Sequence, residues 1–234
     1  MITARKESMA IDYKKALTDP FEDPSAPVKW GIGAACVFFW WVLLLPMLAL
    51  HGYICQAMRN SAEGSEEKLP SWDNFGNYIW QGTVLLGIGL ILGCIPAGMM
   101  FIAFGGAIVA LLSHHATGGI VTAGGLGFSG IMGLLGVILL LVLAFLGPAL
   151  WARYARTGSF IEGLNLPAAV SDILRGPLDY IVILGITYGL GMVWGMASAC
   201  IPFLGILVSL AGVFYTQVVM ANLMGQYSRN YLGN

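Results

Sequence analysis

The sequence predicts an all-α fold, a polytopic transmembrane helical bundle of about five to six membrane segments. Some segments are kinked or re-entrant, and short amphipathic helices lie at the interface. Three observations lead there. Of 234 residues, 58% are hydrophobic and only 10% charged, with a mean hydropathy of +0.80; a soluble domain carries about 25% charged residues. No Lys, Arg, Asp or Glu occurs between Asp73 and Arg153, or between Asp179 and Arg229. Glycine supplies 32 residues, well above the usual share of about 7%, and in lipid glycine lets helix backbones approach closely. A net charge of -1 excludes a bulk basic surface for nucleic acid.

Residues 1–29 form a cytoplasmic segment with five of the eleven Lys/Arg: Arg5, Lys6, Lys14, Lys15 and Lys29. They contain no apolar core of a secretory signal. Ser8 is placed to cap a helix whose apolar face holds Met9, Tyr13, Ala16, Leu17 and Pro20, as on a membrane surface; a solvated helix or a loose tail also fits. Pro20, Pro24 and Pro27 end it before Trp30. Residues 30–234 form a single integral membrane domain. Within it, 30–58 is apolar throughout and too long for one straight span, about 44 Å against a core of roughly 30 Å. One long kinked helix and a hairpin broken near Pro46 both fit.

The polar loop and aromatic-rich stretch 59–81 follow, with Trp72, Phe75, Tyr78 and Trp80 as an interfacial belt. The stretch from Lys68 to Gly82, which contains Leu69-Pro70-Ser71-Trp72-Asp73, is read as a short surface helix that steers the chain into the bilayer, with Trp72 at headgroup depth and Asp73 as a cap or bound to a nearby backbone donor. A second over-long apolar run covers 82–112, interrupted at Cys94-Ile95-Pro96. Residues 113–130, rich in glycine and free of Lys, Arg, Asp and Glu, read as a flexible loop. Residues 131–152 make a span, 153–177 an interfacial segment with a helix around Phe160, Ile161, Leu164, Val170, Ile173 and Leu174, and 178–227 two spans turning near Cys200-Ile201-Pro202.

Charge orients these segments, because cytoplasmic loops carry the Lys/Arg excess. With 30–58 as a hairpin and 82–112 as one kinked span, all eleven Lys/Arg lie on one side. Reversing those assignments moves Arg59 and Lys68 out, and two single crossings scatter the charges further. The first arrangement is preferred. It predicts a cytoplasmic (inner) membrane protein with N- and C-termini cytoplasmic and 113–130 outside. A surface helix leading into an apolar hairpin occurs near each end, which hints at duplication.

The pattern Gly52-Tyr53, Met58-Arg59, an acidic linker, Leu69-Pro70-Ser71-Trp72-Asp73-Asn74-Phe75 and Gly82, followed by Ala152-Arg153-Tyr154-Ala155 and Arg175-Gly176-Pro177-Leu178-Asp179-Tyr180, resembles the Domain of Unknown Function 4013 family. The resemblance covers most of residues 10–230. It implies a bacterial or archaeal multi-span membrane protein and brings no catalytic residues. The length of the segment 113–130 departs from the family pattern.

Chemistry is sparse. The candidate cofactor-binding residues are His114 and His115, since imidazole binds metals; no carboxylate or cysteine lies beside them, and a polar helix end is the ordinary reading. His51 reads as a hydrogen-bonded core group. Cys36, Cys55, Cys94 and Cys200 lack metal-site spacing, so no metal site and no catalytic residue is assigned. The glycine-rich segment lacks the Gly-Lys-Ser/Thr of a phosphate loop. Gln56, Gln81, Gln217 and Asn222 are the amides in or near the spans, suited to interhelical hydrogen bonds.

Structural-motif residues are Leu69, Pro70, Trp72, Asp73 and Gly82. Helix-packing residues are Gly89, Gly93, Gly185, Gly189, Gly191 and Gly195, the last four expected near one helical stripe. No cofactor is predicted, and bound lipid is expected. These features fit an accessory subunit or scaffold without enzymatic activity, its partners being membrane lipid and other membrane subunits or a second copy, with no nucleic acid. The alternative is a carrier or channel for a neutral or lipid-like solute.

Overall fold

The computed structural model describes residues 11–39, 44–65, 69–117, 119–200 and 204–232. Among them every regular element is helical: α1 (Tyr13–Glu22), α2 (Ala26–Phe39), α3 (Leu44–Glu63), a 3-10 turn (Trp72–Asn74), α4 (Phe75–Thr117), α5 (Gly119–Thr157), α6 (Phe160–Gly163), α7 (Leu166–Leu174), α8 (Pro177–Cys200) and α9 (Leu204–Tyr231). Four stretches are long and apolar enough to cross a membrane: Trp72–Leu112, Gly124–Thr157, Pro177–Cys200 and Gly205–Tyr231. The chain divides into two compact units, one of residues 1–86 with 148–234 and one of residues 87–147.

In the first unit, 30–58 is a hairpin. Trp30 of α2 and Tyr53 of α3 both lie against Phe214, with ring centroids 6.1 and 5.8 Å away. A single helix would hold these two residues about 35 Å apart. Helix α2 ends at Phe39 and α3 begins at Leu44. Pro46 does not break the helix: it sits in the first turn of α3, where its missing N–H costs nothing. Helices α3 and α9 run parallel, pairing Tyr53 with Phe214 and donating from Ser61 Oγ to the Asn222 carbonyl at 2.8 Å. Helix α8 returns antiparallel along α9, with Tyr180 on Tyr227 and Trp194 on Tyr215.

Glycine sets the closest approaches. A Cβ on Gly52 would overlap the Tyr78 carbonyl oxygen, and one on Gly82 would overlap that of Leu48. These contacts lock α3 antiparallel to the start of α4. Gly225 does the same for α9 against Met58 and Ser61, and Gly205 for the tip of the α8–α9 hairpin against Ser198. The end of α5 runs beside α3 in the same direction: His51 meets the Trp151 ring edge-on, and Arg59 Nε donates to the Ala155 carbonyl at 2.7 Å.

Several expectations are corrected. Ser8 and Met9 lie outside the described residues, and the cap of α1 is Asp12, whose carboxylate accepts from the Lys15 N–H at 2.8 Å. Pro20 does not end α1, which continues to Glu22; it is buried, and its carbonyl accepts from Trp30 Nε1 at 3.1 Å. The apolar face of α1 lies on α9, with Tyr215 Oη donating to the Leu17 carbonyl. Trp72 begins a single 3-10 turn that leads straight into α4, not a separate surface helix. The segment 113–130 is no loop: α4 and α5 continue to Thr117 and from Gly119. The interfacial segment 153–177 holds two short helices, α6 and α7.

In the second unit the reason for the helical glycines is visible. Glycine costs a helix about 1 kcal/mol relative to alanine. Backbone groups in lipid have no water to turn to and bond within the helix. The saving in width is used: a Cβ on Gly125 would stand 3.0 Å from Ala110 Cβ, one on Gly133 3.4 Å from Ala103 Cβ, and one on Gly106 would overlap Ser129. These pairs define an antiparallel α4–α5 hairpin.

The two ends of the chain share a local plan. Asn165 caps α7 through the Ala168 N–H as Asp12 caps α1 through Lys15. Ala16 and Ala169 are both fully buried, and each short helix precedes a hairpin.

Substituting the tight glycines separates them from the free ones. Gly52→Ala or Gly82→Ala should lower stability by about 1–3 kcal/mol through overpacking. Gly89→Ala, with nothing within 4 Å of the added Cβ, should be neutral or stabilise by up to about 1 kcal/mol. Thermal melts of the three variants in one detergent test this; equal melting of all three would refute the packing assignment.

Candidate functional site

The charged residues of the first unit gather on one face. Lys29 Nζ reaches the Leu69 carbonyl and Asp23 Oδ2, Arg59 the end of α5, and Arg229 Nη1 lies beside Gly64 at the end of α3. Arg153 is bound to Asp172 at 2.5 Å and to Glu162. The Asp172 carbonyl accepts from Tyr227 Oη at 2.8 Å. Asp179, in the first turn of α8, accepts from Tyr13 Oη at 2.9 Å and Tyr231 Oη at 2.5 Å. Burial, and then the Asp179 hydrogen bond, push the Tyr13 phenol up to about 12. Burial alone would raise Asp23, but hydrogen bonds from Ser25 and Lys29 outweigh it and hold the carboxyl below its usual range. These groups fasten helix ends together. The arrangement matches the one in which 30–58 is a hairpin and the charged segments share a side.

The motif residues work as a joint on this face. Leu69 is fully buried and Pro70 is buried. Trp72 stacks on Tyr53 at 4.2 Å and 12°, and its Nε1 donates to the Lys29 carbonyl at 3.3 Å. Tyr78 Oη donates to the Ser71 carbonyl at 2.6 Å. Asp73 is exposed and shows no capping hydrogen bond among the described residues. The expected belt is therefore split: Tyr78 is internal, while Trp80 is 67% exposed.

His114 and His115 lie on the α4 backbone, and their side chains are outside the described part. Among the described residues no group of three metal-binding side chains occurs. His51 Nδ1 bonds the Met47 carbonyl at 2.7 Å, as a core histidine does. Gln56 Nε2 donates to Asn60 within α3, whereas Gln81 Oε1, Gln217 Oε1 and Asn222 Nδ2 are buried atoms without a partner among the described residues.

Of the helix-packing glycines, Gly89, Gly93, Gly185, Gly189, Gly191 and Gly195 have nothing within 4 Å of a would-be Cβ. Helix contacts inside the chain use other glycines. Nor do the four on α8 form one stripe. At about 100° per residue, Gly185 and Gly189 lie roughly 120° from Gly191 and Gly195. The first pair points away from Ile183 and Leu184, which are buried. The second pair borders a groove.

That groove, about 610 Å³, runs between α8 and α9 of the same hairpin. Thr187, Tyr188, Met192 and Trp194 line it from one side, and Ser209, Val213, Thr216 and Gln217 from the other. Small residues create it: Gly191 and Gly195 leave the α8 wall bare, and the Trp194 ring leans over Gly212, where a Cβ would overlap it. Trp194 Nε1 and Gln217 Oε1 are both buried and unpaired. The hydroxyls of Thr187, Ser209 and Thr216 donate to carbonyls of their own helices, Ile183, Ile206 and Gly212, which leaves their lone pairs as acceptors. The lining carries no charge. In the sequence Gln217 was readable only as an amide in or near a span; that it shares a groove with Trp194 was not.

A family model described as a protein of unknown function, DUF4013, matches residues 35–204. No curated protein and no solved structure matches the chain.

The Tyr13–Asp179 bond gives a pH signature. The folded chain holds the Tyr13 proton more tightly than the unfolded chain, so its contribution is complete below about pH 10. That contribution is lost as pH rises through about 12. Wild type should lose melting temperature over this window, and Tyr13→Phe should lose less. Parallel curves would remove the bond from the account.

Proposed function

The chain belongs to the DUF4013 family of membrane-protein-like chains without an assigned activity, and from that premise we propose that it is an accessory subunit or scaffold, without enzymatic activity, that packs against other membrane proteins. The observation that carries the proposal is the outer face of α8. Gly185 and Gly189 have open space above them, and Met192 and Met196 beside them are 72% and 71% exposed. Small-xxx-small spacing admits a second backbone at close range, and methionine moulds itself to a partner. The partner is a transmembrane helix of another subunit or of a second copy. The charged face, with its acids and arginines engaged in helix-end contacts, supports a structural role.

Orientation belongs to the same proposal. Lys14 and Lys15 lie on the short helix α1, and Lys29, Arg59, Arg153, Arg156, Arg175 and Arg229 lie at helix ends, which the positive-inside rule assigns to the cytoplasm of a prokaryotic cell. In a cysteine-free background, Arg175→Cys should react with a membrane-impermeant maleimide only after the membrane is opened. Reaction in intact cells would reverse the topology.

The alternative, a carrier for a neutral or lipid-like solute, gains one observation, the α8–α9 groove. The two readings part on substitution. Gly185→Leu and Gly189→Leu should dissociate a complex isolated in mild detergent, seen as a smaller species on size exclusion, while Leu178→Ala leaves it intact. An unchanged elution profile for both glycine variants would defeat the subunit reading.

A further inference from the structure

Independently of any protein partner, we propose that the α8–α9 groove is a binding site for a neutral single-chain amphiphile, held by a hydroxyl group at its head. The argument starts from what the groove leaves unpaired. Trp194 Nε1 is a donor and nothing else, and Gln217 Oε1 an acceptor; both atoms are buried and without a partner among the described residues. Polar atoms left so in a lipid-facing hairpin are costly, because lipid chains offer no hydrogen bond. A group that accepts from one and donates to the other removes both costs. A hydroxyl both accepts and donates.

The remaining lining narrows the class. Thr187, Ser209 and Thr216 have committed their protons to helix carbonyls, so each adds an acceptor and no donor. No Lys, Arg or His lines the groove. A carboxylate or phosphate would therefore find no counter-charge there, which disfavours fatty acids and phospholipid headgroups. Gly191, Met192, Gly195 and Val213 supply an apolar wall for a chain. A volume of about 610 Å³ falls within the usual range of roughly 300–1,000 Å³ for small-molecule sites. Long-chain primary alcohols and monoacylglycerols share the required chemistry.

The test uses the full chain in phosphatidylcholine nanodiscs and a hexadecan-1-ol probe with a mid-chain diazirine. Photolabelling followed by peptide mapping should place the label on α8 and α9 within the groove. Unlabelled hexadecan-1-ol or monopalmitoylglycerol should displace it, and palmitate or hexadecane at the same concentration should not. Trp194→Phe, which keeps the ring and loses the N–H, and Gln217→Leu should each weaken labelling about tenfold, the loss of one hydrogen bond. Both variants must elute as wild type. Gly191→Leu, which fills the groove, should abolish labelling without dissociating a complex held through Gly185 and Gly189; this separates the site from the subunit proposal. Uniform labelling of α4, α5 and α8, equal competition by palmitate, a groove occupied by a cross-linked protein, or labelling unchanged in folded Trp194→Phe and Gln217→Leu would each overturn the proposal.

Discussion

The first unit depends on backbone contact between α3 and the start of α4. Gly52 and Gly82 each lie where a side chain would strike the other helix's carbonyl. In lipid the helices gain little by hiding apolar surface from one another, so close dispersion contact has to hold them. The contact brings α4 near enough for Trp72 to stack on Tyr53 and for Tyr78 to meet the same ring edge-on. Tyr53 in turn meets Phe214 of α9. A wider spacing at Gly52 would loosen this whole series, because the aromatic contacts are set by the helix separation.

The polar face holds the same elements by a different force. Arg153 with Asp172 and Glu162 ties α5 to α6 and α7. Asp179 between Tyr13 and Tyr231 ties α1 to α8 and α9. A buried charge is tolerated when it is paired and hydrogen-bonded, as Arg153 and Asp172 are here.

The two hairpins of the first unit are alike in plan and unlike in surroundings. Helix α3 meets α2, α9, the start of α4 and the end of α5. The α8 window is only 11% buried, so α8 keeps an outer face and a groove margin that α3 has lost. Duplication followed by unequal enclosure would leave one hairpin structural and the other free to meet ligands or partners.

Much of this was legible in the residues. The absence of charge over 74–152 and 180–228 dictates helices, because in lipid each backbone group must find its partner inside its own segment. The distribution of Lys and Arg was enough to favour a hairpin at 30–58. The Leu69–Trp72 motif and Gly82 were recognisable as structural. What the sequence could not decide was which glycines touch. Gly52 and Gly89 are both glycines in apolar helices, yet one meets a carbonyl and the other open space. Spacing along one helix says nothing of where a second helix crosses it. The glycine-rich segment 113–130 misled for a related reason: glycine favours loops in water, but at Gly125, beside Ala110, it permits helix packing. The groove also exists only in the fold, since Trp194 and Gln217 come to face it through the antiparallel return of α9 along α8.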